Sequence, residues 1–594
     1  MRGTGLTLVL VLVSACGPQG PVSGNDGSNI PTYQAPQVSY CSTVTNYGGA
    51  TVTISGDAKY YRREPFGDQN GGGLGAPGAA RPIRRAEVRV TNAAGSVVQC
   101  TETLANGSYS FVLPQSATGV YTVAVTSRAS NDYLKAYVYD DPRLNNYYSI
   151  TTTFTPSNSQ VLSTLTALAT GDVKGGAFNI LDQFYEANEF LRNHVGNCGF
   201  APCSGDAFTV APKVTAYWKP GFNPAEYYGE TSGLSFYLPG YDRLFILGGV
   251  DGDFDNEDTD HFDNSVILHE FGHFLEDNHF ISDSPGGQHS GNKIIDPRLA
   301  WSEGWGNFFQ GAVRNDPTYI DTEGNSSGST ALLFYVNLED QTRDIPVTEG
   351  EGHFREFSVT RNFWDAWDNA GPENTNGGSD TLNTKFGEIW HGLTSLSGFL
   401  KPSAAFHQVG HFHEFHQTTM VPQGAVSWNG IRTLERHVAS TDDYAQYVTT
   451  TGSCSYTLTP SPLTSDGAAD NGTFARSHLL LNNDFYHLRL TGSQSVTVVL
   501  EYIDADGFGT KADMDLYLYR EAARYGTISD MADYSEATPA GGVVTAETET
   551  VGPVSLGAGN YLINVKAFTG GALGGAVYYT LKLNGSPLCP ANLP

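Results

Sequence analysis

Positive charge is scarce in this 594-residue chain. Lys and Arg total 33 against 62 Asp and Glu, for a formal net charge of -29. A surface this acidic repels phosphate backbones, which argues against nucleic acid as a partner. Long apolar runs are scarce too. The run LTLVLVLV near the N-terminus has no second counterpart, so nothing beyond the N-terminus is expected to enter a membrane. No Ser or Cys nucleophile motif is present, which leaves covalent acyl-enzyme chemistry without a carrier. What the chain has instead is glycine, 68 residues of it, and 12% aromatics. That aromatic content is too high for disorder, and the composition fits a loop-rich, β-containing extracellular protein of several domains.

Cysteine is limited to seven residues. Arg2, the apolar run and Ser14-Ala15-Cys16 read as a signal peptide. The ending resembles the lipobox of bacterial lipoproteins. That resemblance implies cleavage before Cys16, lipidation of its thiol and attachment to the cell envelope at the outer membrane or cell surface. Residues 1–15 are then the signal and 16–36, rich in Pro, Gly, Ser and Asn, a tether. Six cysteines remain, an even number suited to an oxidising compartment. Their positions suggest three pairs, Cys41 with Cys100, Cys198 with Cys203 and Cys454 with Cys589, although six cysteines allow fifteen pairings.

The chemistry concentrates in ILHEFGHFLE. His269, Glu270 and His273 form H-E-x-x-H, and positions i and i+4 of a helix share a face. Both imidazoles can then reach one zinc ion, with Glu270 beside them as a base. Asp263 or Asn264 can cap the helix start, and Val266, Ile267, Leu268, Phe274 and Leu275 bury it. A catalytic zinc needs a third protein ligand. His279 has metzincin spacing but lacks the helix-breaking Gly at position 276 and a nearby methionine turn. Glu303, in the aromatic run LAWSEGWGNFF, is a carboxylate that needs a partner if buried. Glu303 is the favoured ligand.

HEFGH followed by SEGWGNFF resembles the gluzincin peptidases, in the Glu-Gly-Trp form of the fungalysins and more loosely the bacterial collagenases and thermolysin. The resemblance covers residues 240–310. It implies zinc held by His269, His273 and Glu303, Glu270 as general base, and Asn307 supporting a zinc histidine where thermolysin-like enzymes carry Asp. It also implies an edge strand beside the cleft that pairs with extended substrate, for which residues 243–249 are the candidate.

The flanks read as β. Residues 37–130 alternate apolar and polar, with Asn106-Gly107 as a hairpin signal and 68–80 as a long mobile loop. They resemble a transthyretin-like regulatory sandwich. Residues 131–450 have helical segments at 175–195, EFSVTRNFWDAWDNA and KFGEIWHGLTSLSGFL. Residues 451–594 resemble the pre-peptidase C-terminal domain of secreted bacterial proteases. The expected architecture is multidomain, an α+β zincin catalytic domain between two β-sandwich domains.

Further candidates surround this reading. The acids of 251–260 could hold calcium, as could Asp504, Asp506, Asp513 and Asp515, but no EF-hand pattern is present and a solvated loop is the simpler reading. His407, His411, His413 and His416 form a histidine cluster without standard ligand spacing. His289, His353, His391 and Tyr335 are candidates to stabilise an oxyanion. The expected activity is that of a lipid-anchored zinc endopeptidase acting on protein or peptide. The alternative is a non-catalytic surface protein that binds protein or glycan with a peptidase-like core.

Overall fold

The computed structural model describes residues 15–16, 38–68, 70–224, 234–249, 251–282, 284, 287–289, 297–324, 334–339, 355–368, 382–399, 409–435, 445–449, 483–504, 513–520, 531–535, 547–569 and 577–591. The chain builds several β-sheets and a set of helices.

The alternation read in the first region is real. In the strand Thr51–Tyr60, Val52, Ile54, Ala58 and Tyr60 turn inward between more exposed neighbours. This strand pairs with Ser108–Pro114, Arg81–Pro82, Gln160–Val161 and Leu165–Ala167. The facing sheet runs Ser149–Phe154, Tyr121–Thr126, Glu87–Thr91, Val97–Glu102. Cys41–Cys100 is a disulfide here, and Cys198–Cys203 is another; Cys454 lies outside the described residues. Glu87 and Arg128 form a fully buried ion pair at 2.7 Å, and Thr126 also donates to Glu87. Removing either partner would strand a buried charge at a cost of about 3–5 kcal/mol.

Three local expectations are corrected. Asn106-Gly107 makes a turn, but the strands on either side join different sheets rather than a hairpin. The glycine-rich stretch is no loose loop. Gly71–Pro77 pairs with Arg63–Asp68, and the Arg63 guanidinium donates to the carbonyls of Leu74 and Gly75. The expected boundary at residue 130 falls in an interleaved segment. Arg128–Ser130 and Lys135–Tyr139 enter the sheet of the helical region, and the chain then returns to the first sheets at 149–167. One hydrophobic core accordingly runs from Val52 to Ile431.

The helical region has a five-stranded sheet in the order Arg128–Ser130, Lys135–Tyr139, Val214–Tyr217, Arg243–Phe245, Phe236–Leu238. The candidate substrate strand at 243–249 is therefore interior over Arg243–Phe245. The edge is Phe236–Leu238, which pairs antiparallel with it. Among the described residues the longer helices are α1 (Lys174–His194), α2 (Asn264–His279), α3 (Pro297–Arg314), α4 (Glu356–Trp367), α5 (Phe386–Phe399) and α6 (Val409–Phe415). α2 is buried on nearly every side because α1, α3 and the sheet all pack on it, with Phe184 of α1 stacked on Phe271 at 5.0 Å. Asp263 stands at its N-terminus without a capping bond, since its carboxylate accepts from Thr322 instead.

The C-terminal strands form two sheets, six-stranded and four-stranded, around a separate core that includes Leu500, Leu518 and Ile563. Ala445–Thr449, ahead of the expected boundary at 451, is already part of the larger sheet. Among the described residues no helix is long and apolar enough to cross a membrane.

Candidate metal centre

α2 and α3 cross closely because glycine faces glycine. A Cβ on Gly272 would lie 3.2 Å from Gly306 Cα, and one on Gly306 would lie 2.9 Å from the His269 ring. Trp305 of α3 locks the crossing by donating its indole N–H to the Gly272 carbonyl at 2.9 Å. His269 and His273 project from one face of α2, as i and i+4 require. Glu303 projects from α3 to meet them.

His269 Nε2 lies 3.0 Å from His273 Nε2 and 3.1 Å from Glu303 Oε2; His273 Nε2 lies 3.6 Å from that same oxygen. All three side chains are buried. A tetrahedral ion with ligand bonds of about 2.0 Å holds its donors roughly 3.3 Å apart. Two imidazole nitrogens and a carboxylate oxygen at these separations fit zinc in chemistry and in size. The remaining ring nitrogens face outward to fixed partners. His269 Nδ1 is 3.0 Å from Asn307 Oδ1, and His273 Nδ1 is 3.2 Å from the Ser302 hydroxyl, which donates to Glu276 at 2.6 Å. Such partners set the tautomer that leaves Nε2 free to bind.

Glu270 turns toward the sheet edge and accepts the Tyr237 amide N–H at 2.7 Å. Burial pushes its carboxyl up to about 8, with Glu303 adding to the rise. Burial also opposes ionising Glu303, but His289 and His273 beside it hold its carboxyl well below the usual range. Burial depresses the His269 imidazole.

Among the described residues, His289 is the one oxyanion candidate brought to the cluster. Its Nε2 lies 3.5 Å from Glu303 Oε2 and makes no hydrogen bond, while its Nδ1 lies 2.8 Å from Glu356 Oε2. Burial would lower its imidazole, yet Glu303 and Glu356 outweigh this and raise it to about 8. The backbone of Gly287–Gln288, just before it, pairs with Ala15–Cys16, which is where the sequence-assigned lipidation residue Cys16 stands. His391 instead meets Asp206 at 2.8 Å, Tyr335 sits in the strand Phe334–Asn337, and His353 lies outside the described residues. His279 ends α2 against Trp390 and Phe208, away from the other two histidines. His413 and His416 pack on Trp428 and join no metal-holding group among the described residues; His407 lies outside them. Asp515 accepts the Tyr517 hydroxyl, and Asp506 is outside the described residues.

Glu356, Glu276, Ser302 and Tyr237 were not singled out in the sequence. Glu276 follows His273 at i+3 and Ser302 precedes Glu303, so helical spacing could have flagged those two. Nothing local marks Glu356 or Tyr237.

Residues 206–437 match the family model of the Mycolysin C-terminal domain. The matched segment contains every member of this cluster and links it to secreted metallopeptidases. It is well under half of the chain. Among solved structures, the pre-peptidase C-terminal domain of a collagenase from Bacillus anthracis is similar at 16% identity, covering 17% of this chain and 77% of that one with a TM-score of 0.11. No curated protein matches the chain. Over residues 206–437 the chain is similar to a peptidase-associated domain.

Proposed function

We propose that this chain is a zinc-dependent endopeptidase. The observation that carries the reading is the convergence of His269 Nε2, His273 Nε2 and Glu303 Oε2 at ligand separations, with Glu270 beside them. Zinc, when bound there, supplies Lewis acidity toward a water and a scissile carbonyl. Glu270 takes the proton of the attacking water and delivers it to the leaving amine. A carboxyl raised toward neutrality suits both halves of that transfer. His289 Nε2, buried and without a hydrogen bond, is placed to meet negative charge on the carbonyl oxygen. The edge strand Phe236–Leu238, tied to Glu270 through Tyr237, is the strand beside which an extended peptide would bind. We further propose that Cys16 carries a lipid that holds the chain at the bacterial cell envelope.

Purified protein should contain one zinc by elemental analysis and cleave peptide bonds in a protein mixture followed by mass spectrometry. Glu270→Gln keeps the shape and loses the base. It should retain zinc and lose turnover by about two to four orders of magnitude. Near-normal cleavage by this variant would overturn the reading.

A further inference from the structure

The acidic stretch 251–260 divides in two. Its exposed part folds on itself, with Glu257 accepting backbone N–H groups of Asp251, Gly252 and Asp253. Its last acids do otherwise. Asp258 and Asp260 turn inward and meet Asp321, from the end of the strand Thr318–Asp321, so that one carboxylate oxygen of each lies within 4.8 Å of the others. The Oδ1 atom of all three is buried and has no hydrogen-bond partner. Asp260 is only 3% exposed. Its other oxygen accepts the Ser235 hydroxyl, and Asp263 stands close by with its carboxylate on Thr322. Among the described residues, no Lys, Arg or His pairs with any of the three.

Three carboxylates that turn a buried oxygen toward one another repel at short range in a low-dielectric setting. We propose that Asp258, Asp260 and Asp321 bind a calcium ion. The donors are all oxygen, with no His or Cys among them, which selects a hard cation over zinc. Three protein carboxylates favour calcium over magnesium, which keeps most of its waters and takes one or two carboxylates.

The position gives such an ion a purpose. Asp260 lies in the turn that opens α2, and Asp321 in the strand that follows α3. Calcium would clamp the two helices that carry His269, His273 and Glu303. It shares no ligand with that cluster and does not rest on the peptidase reading.

The test uses the full chain, freed of calcium by passage through chelating resin, with zinc measured before and after. Millimolar calcium should raise the unfolding temperature by roughly 5 °C, and terbium should bind with sensitised emission that calcium displaces. Asp321→Asn and Asp258→Asn should each abolish most of the calcium-dependent shift while keeping zinc. A wild-type protein with no calcium-dependent shift and no displaceable terbium would overturn the proposal. So would variants more stable than wild type at every calcium level, since that result marks a proton-sharing cluster.

Discussion

Asn307 donates its amide N–H to Glu356 Oε1 at 2.6 Å while its carbonyl oxygen faces His269 Nδ1 at 3.0 Å. An amide can accept from an imidazole and donate to a carboxylate at once. Glu356 in turn holds His289, so a single carboxylate on α4 orients both His269, through Asn307, and the His289 imidazole beside it. The sequence shows Asn where thermolysin-like enzymes have Asp. Here the negative charge stands one residue further out, on Glu356.

Asn307→Asp should therefore harm rather than improve the site. It would set two carboxylates 2.6 Å apart in a buried pocket. Zinc affinity should fall about 10- to 100-fold, the scale for outer partners of metal histidines. Adding Glu356→Gln should recover most of the loss, because the new amide can donate. Zinc titration with a competing chelator reads all three proteins. Unchanged affinity in Asn307→Asp would show that this contact does not orient His269.

Glu303→Ala should lose zinc at neutral pH, and His279→Ala should keep it. Glu303 Oε2 is within 3.6 Å of both histidine donors, whereas His279 packs on Trp390 at the end of α2. Elemental analysis of the two purified variants decides. The opposite pattern would make the site metzincin-like.

His261 supplies a pH prediction. Its ring is fully buried between Trp218 and Phe254, and both nitrogens lack hydrogen bonds. Burial, with the Arg63 charge adding, pushes its imidazole down to about 3. A histidine depressed on folding is neutral in both states above its ordinary value near 6.5, so it costs nothing there. Below that pH the unfolded chain gains a proton that the folded chain refuses, and stability is lost as pH falls toward 3. His261→Phe removes the term. In constant calcium, its stability advantage over wild type should grow by roughly 3 kcal/mol between pH 7 and pH 4, measured by urea unfolding. A difference independent of pH would show that His261 is already protonated or solvated.

Features that depend on near neighbours in the chain were readable from the residues alone. H-E-x-x-H places His269 and His273 on one face because the α-helical period does so in any helix. Glu303, lone among Trp301, Trp305 and Phe308, announced a buried carboxylate seeking a partner, and it lies in the cluster. The alternation in Thr51–Tyr60 and the helices at Lys174–His194 and Glu356–Trp367 were equally legible, because period 2 and period 3.6 are local properties. Which distant residues meet is set by the packing of whole elements. Glu356 and Tyr237 reach the site from other elements, and no spacing rule links them to His269 or Glu270. Strand neighbours are fixed by sheet topology, so the edge fell to Phe236–Leu238 rather than Arg243–Phe245. Gly71–Pro77 became a strand because Arg63 bonds its carbonyls, a contact invisible in a run of glycines. The acids of 251–260 looked like one solvated loop. Asp258 and Asp260 instead turn inward, where Asp321, more than sixty residues later, folds against them.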